Sequence, residues 1–328
     1  MVRTEPPFEF PAVAIGYLAA KLPDLPMAGR VTAVFESSFY IKTSADMFCI
    51  GTRSMGPGAL NVVTTAPSGT VWHASGLQQN ARAAVSSSEI RVGNRFIFAL
   101  SNAVAWLPER PTGSINPVNV KRGLEAFLDA VGCQVPDEGI GRFLVHDFMP
   151  KRHHHVYRAA LSPITEAQTC LSMLFQSPEL TLKPKLSWIH KLAGLGPGLT
   201  PSGDDFLGGM MIALHELGES KISDTLWPTI RRVAEATDNV ISLAHLSAAA
   251  EGVGSEGIHR LLSNMLRGDI QGIQRAISEI DEIGHCSGWD AMTGVVVTLR
   301  SWLAVQAQKS PNFQLTDRQR ISYMRDFE

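Results

Sequence analysis

A change of periodicity near residue 110 constrains the fold of this chain more than any single motif. Between residues 30 and 100 the apolar residues come in short β-branched or aromatic runs, "VTAVFESSFYIKT", "MFCIG", "LNVVTT" and "RFIFAL", each bounded by Gly, Ser or Pro. Such runs fit strands of a sheet or small barrel. Gly93-Asn94, between "IRV" and "RFIF", reads as a two-residue hairpin turn, and residues 12–21 read as a short helix. The stretch "LPERPTGSINP", residues 107–117, breaks both periodicities and is the natural boundary. Beyond it Met292, Val295, Val296, Leu299, Trp302 and Leu303 recur at the spacing of one buried helix face. Ile270, Ile273, Ile277 and Ile280 do the same ahead of Gly284, which is placed to end that helix as a left-handed cap. Similar patterns cover 156–176, 203–216, 238–251 and 257–266. The expected fold is α+β: a β-rich N-terminal domain (residues 1–110), a mainly α-helical C-terminal domain (118–310) and a polar tail (311–328).

Bulk properties narrow the function. A chain of 328 residues is long for one core, so two domains are the default. Hydrophobic residues at 45% and charged residues at 18% describe a globular protein, and a net charge of −2 offers no basic field to nucleic acid. Cys49, Cys133, Cys170 and Cys286 show no C-x-x-C spacing, which suits reduced thiols better than disulfides or a zinc site. No apolar run nears the roughly 18–20 residues that span a bilayer, and "MVRTEPPFEFP" lacks the apolar core of a signal peptide. These features point to a cytoplasmic protein with a small-molecule partner and no membrane. In "KRHHHVYR", residues 151–158, neighbouring side chains point in different directions, so the three histidines read as a solvated loop or helix start rather than a metal site.

The densest chemistry lies in "GLGPGLTPSGDDFLGG", residues 194–209. Ser202 followed by Asp205 approximates a capping box, and Thr200-Pro201 offers a competing helix start one turn earlier. The pattern returns in "CSGWDAMTG", where Ser287, Gly288, Asp290 and Gly294 repeat the spacing of Ser202, Gly203, Asp205 and Gly209, 85 positions on. Each helix start carries unpaired N–H groups and a partial positive charge, so two starts facing one cleft would cradle an anion. Gly194, Gly196, Gly198 and Gly203 would then let backbone amides approach the ligand. The stretch has no Lys or Arg and no terminal Gly-Lys-Ser/Thr, so it is not an ordinary nucleotide loop, and the "STRT" phosphate loop of ordinary carbamoyltransferases is missing.

Asp204 and Asp205 sit about 100° apart around a helix, so they do different jobs. If Asp205 caps, Asp204 is free to meet a ligand as hydrogen-bond acceptor, proton acceptor or Mg²⁺ ligand. A carboxylate beside a bound anion repels it unless a proton, an amino group or a metal intervenes, so a substrate carrying both an oxyanion and an NH₂ fits best. His285 is a candidate proton shuttle or a structural hydrogen-bonder. Ser242 and His245 read as packing residues of a small-residue helix. Arg53, in the "GTRSMGPG" loop of the β-rich domain, either supplies a cationic fork to the substrate or sits solvated in a hairpin loop.

The "GLGPGLTPSGDD" motif, with "GHCSGWDAMTG" (residues 284–294) and the GPG of residues 56–58, resembles the AllH-type subunit family of bacterial oxamate carbamoyltransferase, long catalogued as a domain of unknown function. The likeness runs from about residue 30 to 305. It implies a part in converting oxalurate and phosphate to oxamate and carbamoyl phosphate, in anaerobic allantoin breakdown and hence purine catabolism, alongside two other subunits. Gly196, Gly198, Thr200, Ser202, Asp204, Asp205, His285, Ser287 and Asp290 fall on the family's motif positions. Asp204, Asp205, His285 and Asp290 are the candidate catalytic groups, and Gly196, Gly198, Thr200, Ser202, Gly203, Ser287, Gly288 and Arg53 the candidate substrate-binding ones. No cofactor is expected. Two other readings stay open: metal-assisted amide hydrolysis, with Asp204, Asp205, Asp290 and His285 around a divalent ion such as Mg²⁺, and a non-catalytic anion-binding subunit. A homo-oligomer is compatible with all three.

Overall fold

A computed structural model describes residues 6–111, 113–145, 154–177 and 185–309. The polar tail and His153 lie outside the described residues. The chain divides into two compact units, Met1–Pro108 and Glu109–Glu328.

The first unit is one ten-stranded sheet. Its strands are β1 (Phe8–Glu9), β2 (Ala12–Gly16), β3 (Met27–Val34), β4 (Ser38–Thr43), β5 (Met47–Gly51), β6 (Asn61–Thr64), β7 (Arg82–Val85), β8 (Glu89–Val92), β9 (Phe96–Ala99) and β10 (Val104–Trp106). They lie in the order β1-β9-β8-β7-β3-β4-β5-β6-β2-β10. Register shifts between Ala12 and Ala14 and between Val31 and Ala33 mark bulges that bend their strands and help curl the sheet. Its concave core is aromatic: Trp72, from a loop rather than a strand, meets Phe39 edge-on at 5.1 Å between ring centroids and Phe98 at 5.9 Å.

Three expectations are corrected in this unit. Residues 12–21 form a strand and a single tight turn, Ala19–Lys21, because Ala12–Gly16 is clasped between β6 and β10 and the sheet overrides local helix propensity. The β8–β9 connection holds three residues, since Val92 pairs with Phe96, with Gly93 at φ 56°. The "GTRSMGPG" segment is no hairpin loop, because the strands it joins, β5 and β6, run parallel. Arg53 opens a short helical turn there and is exposed.

The second unit is helical: α1 (Pro117–Val131), α2 (His155–Gln176), α3 (Ser187–Leu192), α4 (Ser202–Glu216), α5 (Ser220–Glu235), α6 (Val240–Ala250), α7 (Glu256–Arg267), α8 (Ile270–Asp281) and α9 (Ser287–Lys309). Asn116, Asn239 and Asp269 cap α1, α6 and α8 by accepting first-turn amides. Gly284 adopts φ 62°, three residues beyond the end of α8, so it shapes the link to α9 rather than capping the helix. His154 is buried and His155 opens α2 exposed, as adjacent side chains facing apart require.

Helices α4 and α9 form the centre. The run from Gly288 to Leu299 is buried without a break, and in α4 only Asp205, Gly208 and His215 are partly open. The amphipathic stripe expected of both is therefore replaced by burial on all sides. Two glycines make this possible. A Cβ on Gly209 would stand 1.9 Å from the Ala291 carbonyl oxygen, and one on Gly294 would stand 2.0 Å from that of Phe206. The last glycine of each motif copy thus rests on the backbone just past the aspartate of the other, a local two-fold relation between the copies.

Gly294→Ala should cost about 2 kcal/mol or more, because the methyl meets rigid backbone. Gly208→Ala, whose Cβ would find only Ala249 Cβ at 3.7 Å, should stabilise by about 0.5–1 kcal/mol. Urea unfolding of both variants checks the contrast; similar stabilities would contradict this account of the crossing.

Candidate functional site

The crossing of α4 and α9 sets their starts side by side. Thr200 Oγ1 lies 3.0 Å from Ser287 Oγ, joining the loop before α4 to the first residue of α9. Residues far apart in the chain become neighbours here because the helices behind them cannot separate.

The loop from Ala193 to Pro201 is built on glycine. Gly196 and Gly198 take φ of 109° and 105°, which side-chain-bearing residues rarely adopt. Leu195 donates to Leu192 and accepts from Gly203, and Asn239 Nδ2 donates to the Leu199 carbonyl at 2.7 Å. The amides of Gly196, Gly198, Leu199 and Thr200 have no acceptor among the described residues, and the loop is partly open to solvent.

The helix starts themselves differ from expectation. Pro201 holds the cap position of α4 in extended geometry and no side chain caps the helix, so the Ser202–Asp205 capping box is not formed. The amides of Asp204 and Asp205 turn back to the Pro201 carbonyl, and those of Gly288 and Asp290 bond to Ile283 and Cys286. Gly203 and Gly288 serve packing, since a Cβ on either would lie 1.9 Å from Leu192 O and 2.3 Å from Ile280 O. The amides left for a ligand therefore belong to the glycine loop more than to the helix turns.

The three aspartates separate by role. Asp204 is buried with both oxygens engaged: Gly194 N–H donates to Oδ1 at 2.8 Å and Ser242 Oγ–H to Oδ2 at 2.6 Å. Burial raises it above the usual carboxylate range while those two bonds pull it back. It ties the glycine loop and α6 to α4, a clamp rather than the free carboxylate expected, and Ser242 gains a polar duty beyond packing. Asp290, fully buried, accepts from the Ile140 and Gly141 amides at 2.7 and 3.0 Å through Oδ1. A Cβ on Gly139 would stand 2.6 Å from either Asp290 oxygen, so this backbone wraps the carboxylate.

Asp205 faces Asp290. Burial pushes Asp205 well up, repulsion from Asp290 adds to it, and the Ser287 and Thr200 hydroxyls offset part of the rise, with Asp204 adding a smaller repulsion. Burial likewise raises Asp290 against bonding from Ser202, the Ile140 and Gly141 amides and Cys286. Each motif's aspartate is thus relieved by the other motif's serine. Ser202 Oγ, Asp205 Oδ2 and Asp290 Oδ2 are nevertheless buried without a well-aligned hydrogen bond. Burial, then Asp290, pushes the half-buried Cys286 up to about 12, keeping it a thiol.

His285 is exposed, its Nε2 3.2 Å from the exposed Glu138 Oε2. Arg53 belongs to the sheet unit. Burial holds His245 down at about 4, so it is neutral. Among the described residues no three His, Cys, Asp or Glu side chains are grouped to hold a metal ion. Sequence reasoning missed Gly139–Gly141, Asn239 and Cys286; for Gly139–Gly141 the one signal was a pair of glycines in "EGIGRF".

Because the folded protein binds a proton at Asp205 more tightly than the unfolded chain, whose aspartates titrate near about 3.9, stability is lost as pH rises from about 4 through the raised value. Asp205→Asn removes that loss. Urea unfolding across this range should show the variant gaining on the parent protein as pH rises, whereas a constant or shrinking difference would contradict the burial of this carboxyl.

Among the described residues no helix is long and apolar enough to cross a membrane. No solved structure matches the chain. Residues 192–299 match the family model described as oxamate carbamoyltransferase subunit AllH. The match lies wholly in the helical unit, a shorter span than the likeness read from the motifs, and it contains both motif copies and the loop between α3 and α4. The match over these residues supports the AllH family, the one the chain's motifs resemble.

Proposed function

We propose that this chain is a subunit of a carbamoyltransferase and that its substrate site is the junction of the α4 and α9 starts. The observation that carries the reading is the convergence there of two distant motif copies, sealed by the Thr200–Ser287 bond at 3.0 Å. The family description names a subunit of oxamate carbamoyltransferase, which supports partner chains and a small carbamoyl-bearing anion as substrate.

In the transfer that the resemblance implies, a phosphate oxygen attacks the carbamoyl carbon of oxalurate, the C–N bond to the oxamate nitrogen breaks, and that nitrogen takes a proton. The free amides from Gly196 to Thr200 suit the phosphate and the charge that develops on the carbamoyl oxygen. A carboxylic acid that holds its proton more tightly than an ordinary aspartic acid suits the departing nitrogen, and burial, with Asp290 adding to it, raises Asp205 well above the usual carboxylate range. The same proton answers the repulsion that an ionised aspartate would exert on an anion. In the reverse direction the carboxylate recovers the proton from the attacking amide nitrogen.

Asp205→Asn and Thr200→Val, assayed for carbamoyl phosphate formation from oxalurate and phosphate together with the partner subunits, should lower kcat at least about 100-fold with folding retained. His285→Ala should leave the rate within about 2-fold. Unimpaired turnover in folded Asp205→Asn would overturn the assignment.

A further inference from the structure

We infer that Asp205 and Asp290 hold one proton between them, and that this half-protonated pair makes the junction prefer a ligand with an NH₂ beside an oxyanion over one with two oxyanions. The inference rests on reading the junction as the substrate site.

Three buried oxygens lack a well-aligned hydrogen bond. Asp290 Oδ1 is fixed by two amides, which leaves Oδ2 buried and unsatisfied; Asp205 Oδ2 is in the same position. Ser202, 1% exposed, brings a third unpartnered atom, its Oγ, where a Cβ on Gly196 would come within 3.0 Å. Buried polar atoms whose bonding is incomplete are destabilising, so three from the two motif copies suit a place that a ligand completes.

No cation compensates the two carboxyls: neither has an ion-pair partner among the described residues. The titratable groups acting on them are Asp204, whose oxygens are committed to Gly194 and Ser242, and the thiol of Cys286. Beside these they meet hydroxyls of Thr200, Ser202 and Ser287 and the amides of Ile140 and Gly141. Two carboxylates in one buried site cannot both ionise cheaply, so one proton stays with the pair.

A pair with one proton presents one O–H donor and one anionic acceptor. Oxamate answers both, with a carboxylate oxygen for the donor and an amide N–H for the acceptor. Oxalate, the same skeleton with the NH₂ replaced by an oxyanion, sets a charge against the ionised oxygen and leaves it without a donor. The selection is made by the unpaired group, as when a site built for an N–H rejects the analogue that lacks it.

Two measurements on the full chain test this. Isotope-edited infrared spectra of aspartate-labelled protein at neutral pH should show a protonated-carboxyl C=O band that shifts in Asp205→Asn or Asp290→Asn, which change its partner, and disappears in the double variant. Calorimetric titration of the unmutated protein should show oxamate binding at least about 10-fold tighter than oxalate, and the Asp205→Asn/Asp290→Asn double variant should bring the two close to parity. The unmutated titration does not depend on any variant folding. Absence of the acid band would overturn the shared proton and with it Asp205 as the acid, while leaving the junction as a carbamoyltransferase substrate site intact. Oxalate bound as tightly as oxamate would overturn the selection, and binding of neither would overturn the junction as the substrate site as well.

Discussion

The close crossing of α4 and α9 governs the rest of the helical unit. Gly209 and Gly294 remove the two side chains that would hold the backbones apart, and each lets its helix lie against the carbonyl just past the other copy's aspartate. Burial of both helices on nearly all sides follows, since each is wrapped by neighbours on the faces its partner does not cover. The placement of Thr200 against Ser287, and of Asp205 towards Asp290, follows as well. A local two-fold relation at the glycines becomes a two-fold relation at the functional groups, in which each serine serves the opposite aspartate.

That arrangement spends stability. Two aspartates drawn into a low-dielectric junction without a cation are costly unless one remains protonated, and the unsatisfied oxygens add to the cost. Next to the pair, Asp204 has a donor for each oxygen, and Asn239 serves both the α6 start and the glycine loop. Three incompletely bonded oxygens, Ser202 Oγ, Asp205 Oδ2 and Asp290 Oδ2, come from the two motif copies, whereas the neighbouring Asp204 is fully bonded.

Much of this architecture was legible in the sequence. The strand-type runs before residue 100 and helical spacing after 117 read as a sheet or small barrel followed by helices, and the S-G-x-D-x-x-x-G repeat marks the starts of α4 and α9. What could not be read were the consequences of tertiary packing. Residues 12–21 look helical in isolation and become a strand because two neighbours clasp them. Ser202 looks like a cap, yet the cap position falls to Pro201 and the hydroxyl turns to the other motif. Adjacent aspartates in one turn are equivalent on paper; only the fold reveals that Asp204 is a clamp and Asp205 belongs to the pair. The Gly139–Gly141 wrap around Asp290 comes from a segment 150 positions away, which no local pattern encodes.

The most direct test of the central claim, that two distant motif copies form a single ligand site, is amide hydrogen exchange on the full chain with and without saturating oxamate and carbamoyl phosphate. One site predicts slowed exchange in residues 196–200 and 287–290 together, with the same ligand concentration dependence. Protection confined to one of the two segments at saturation, or absent from both, would contradict it.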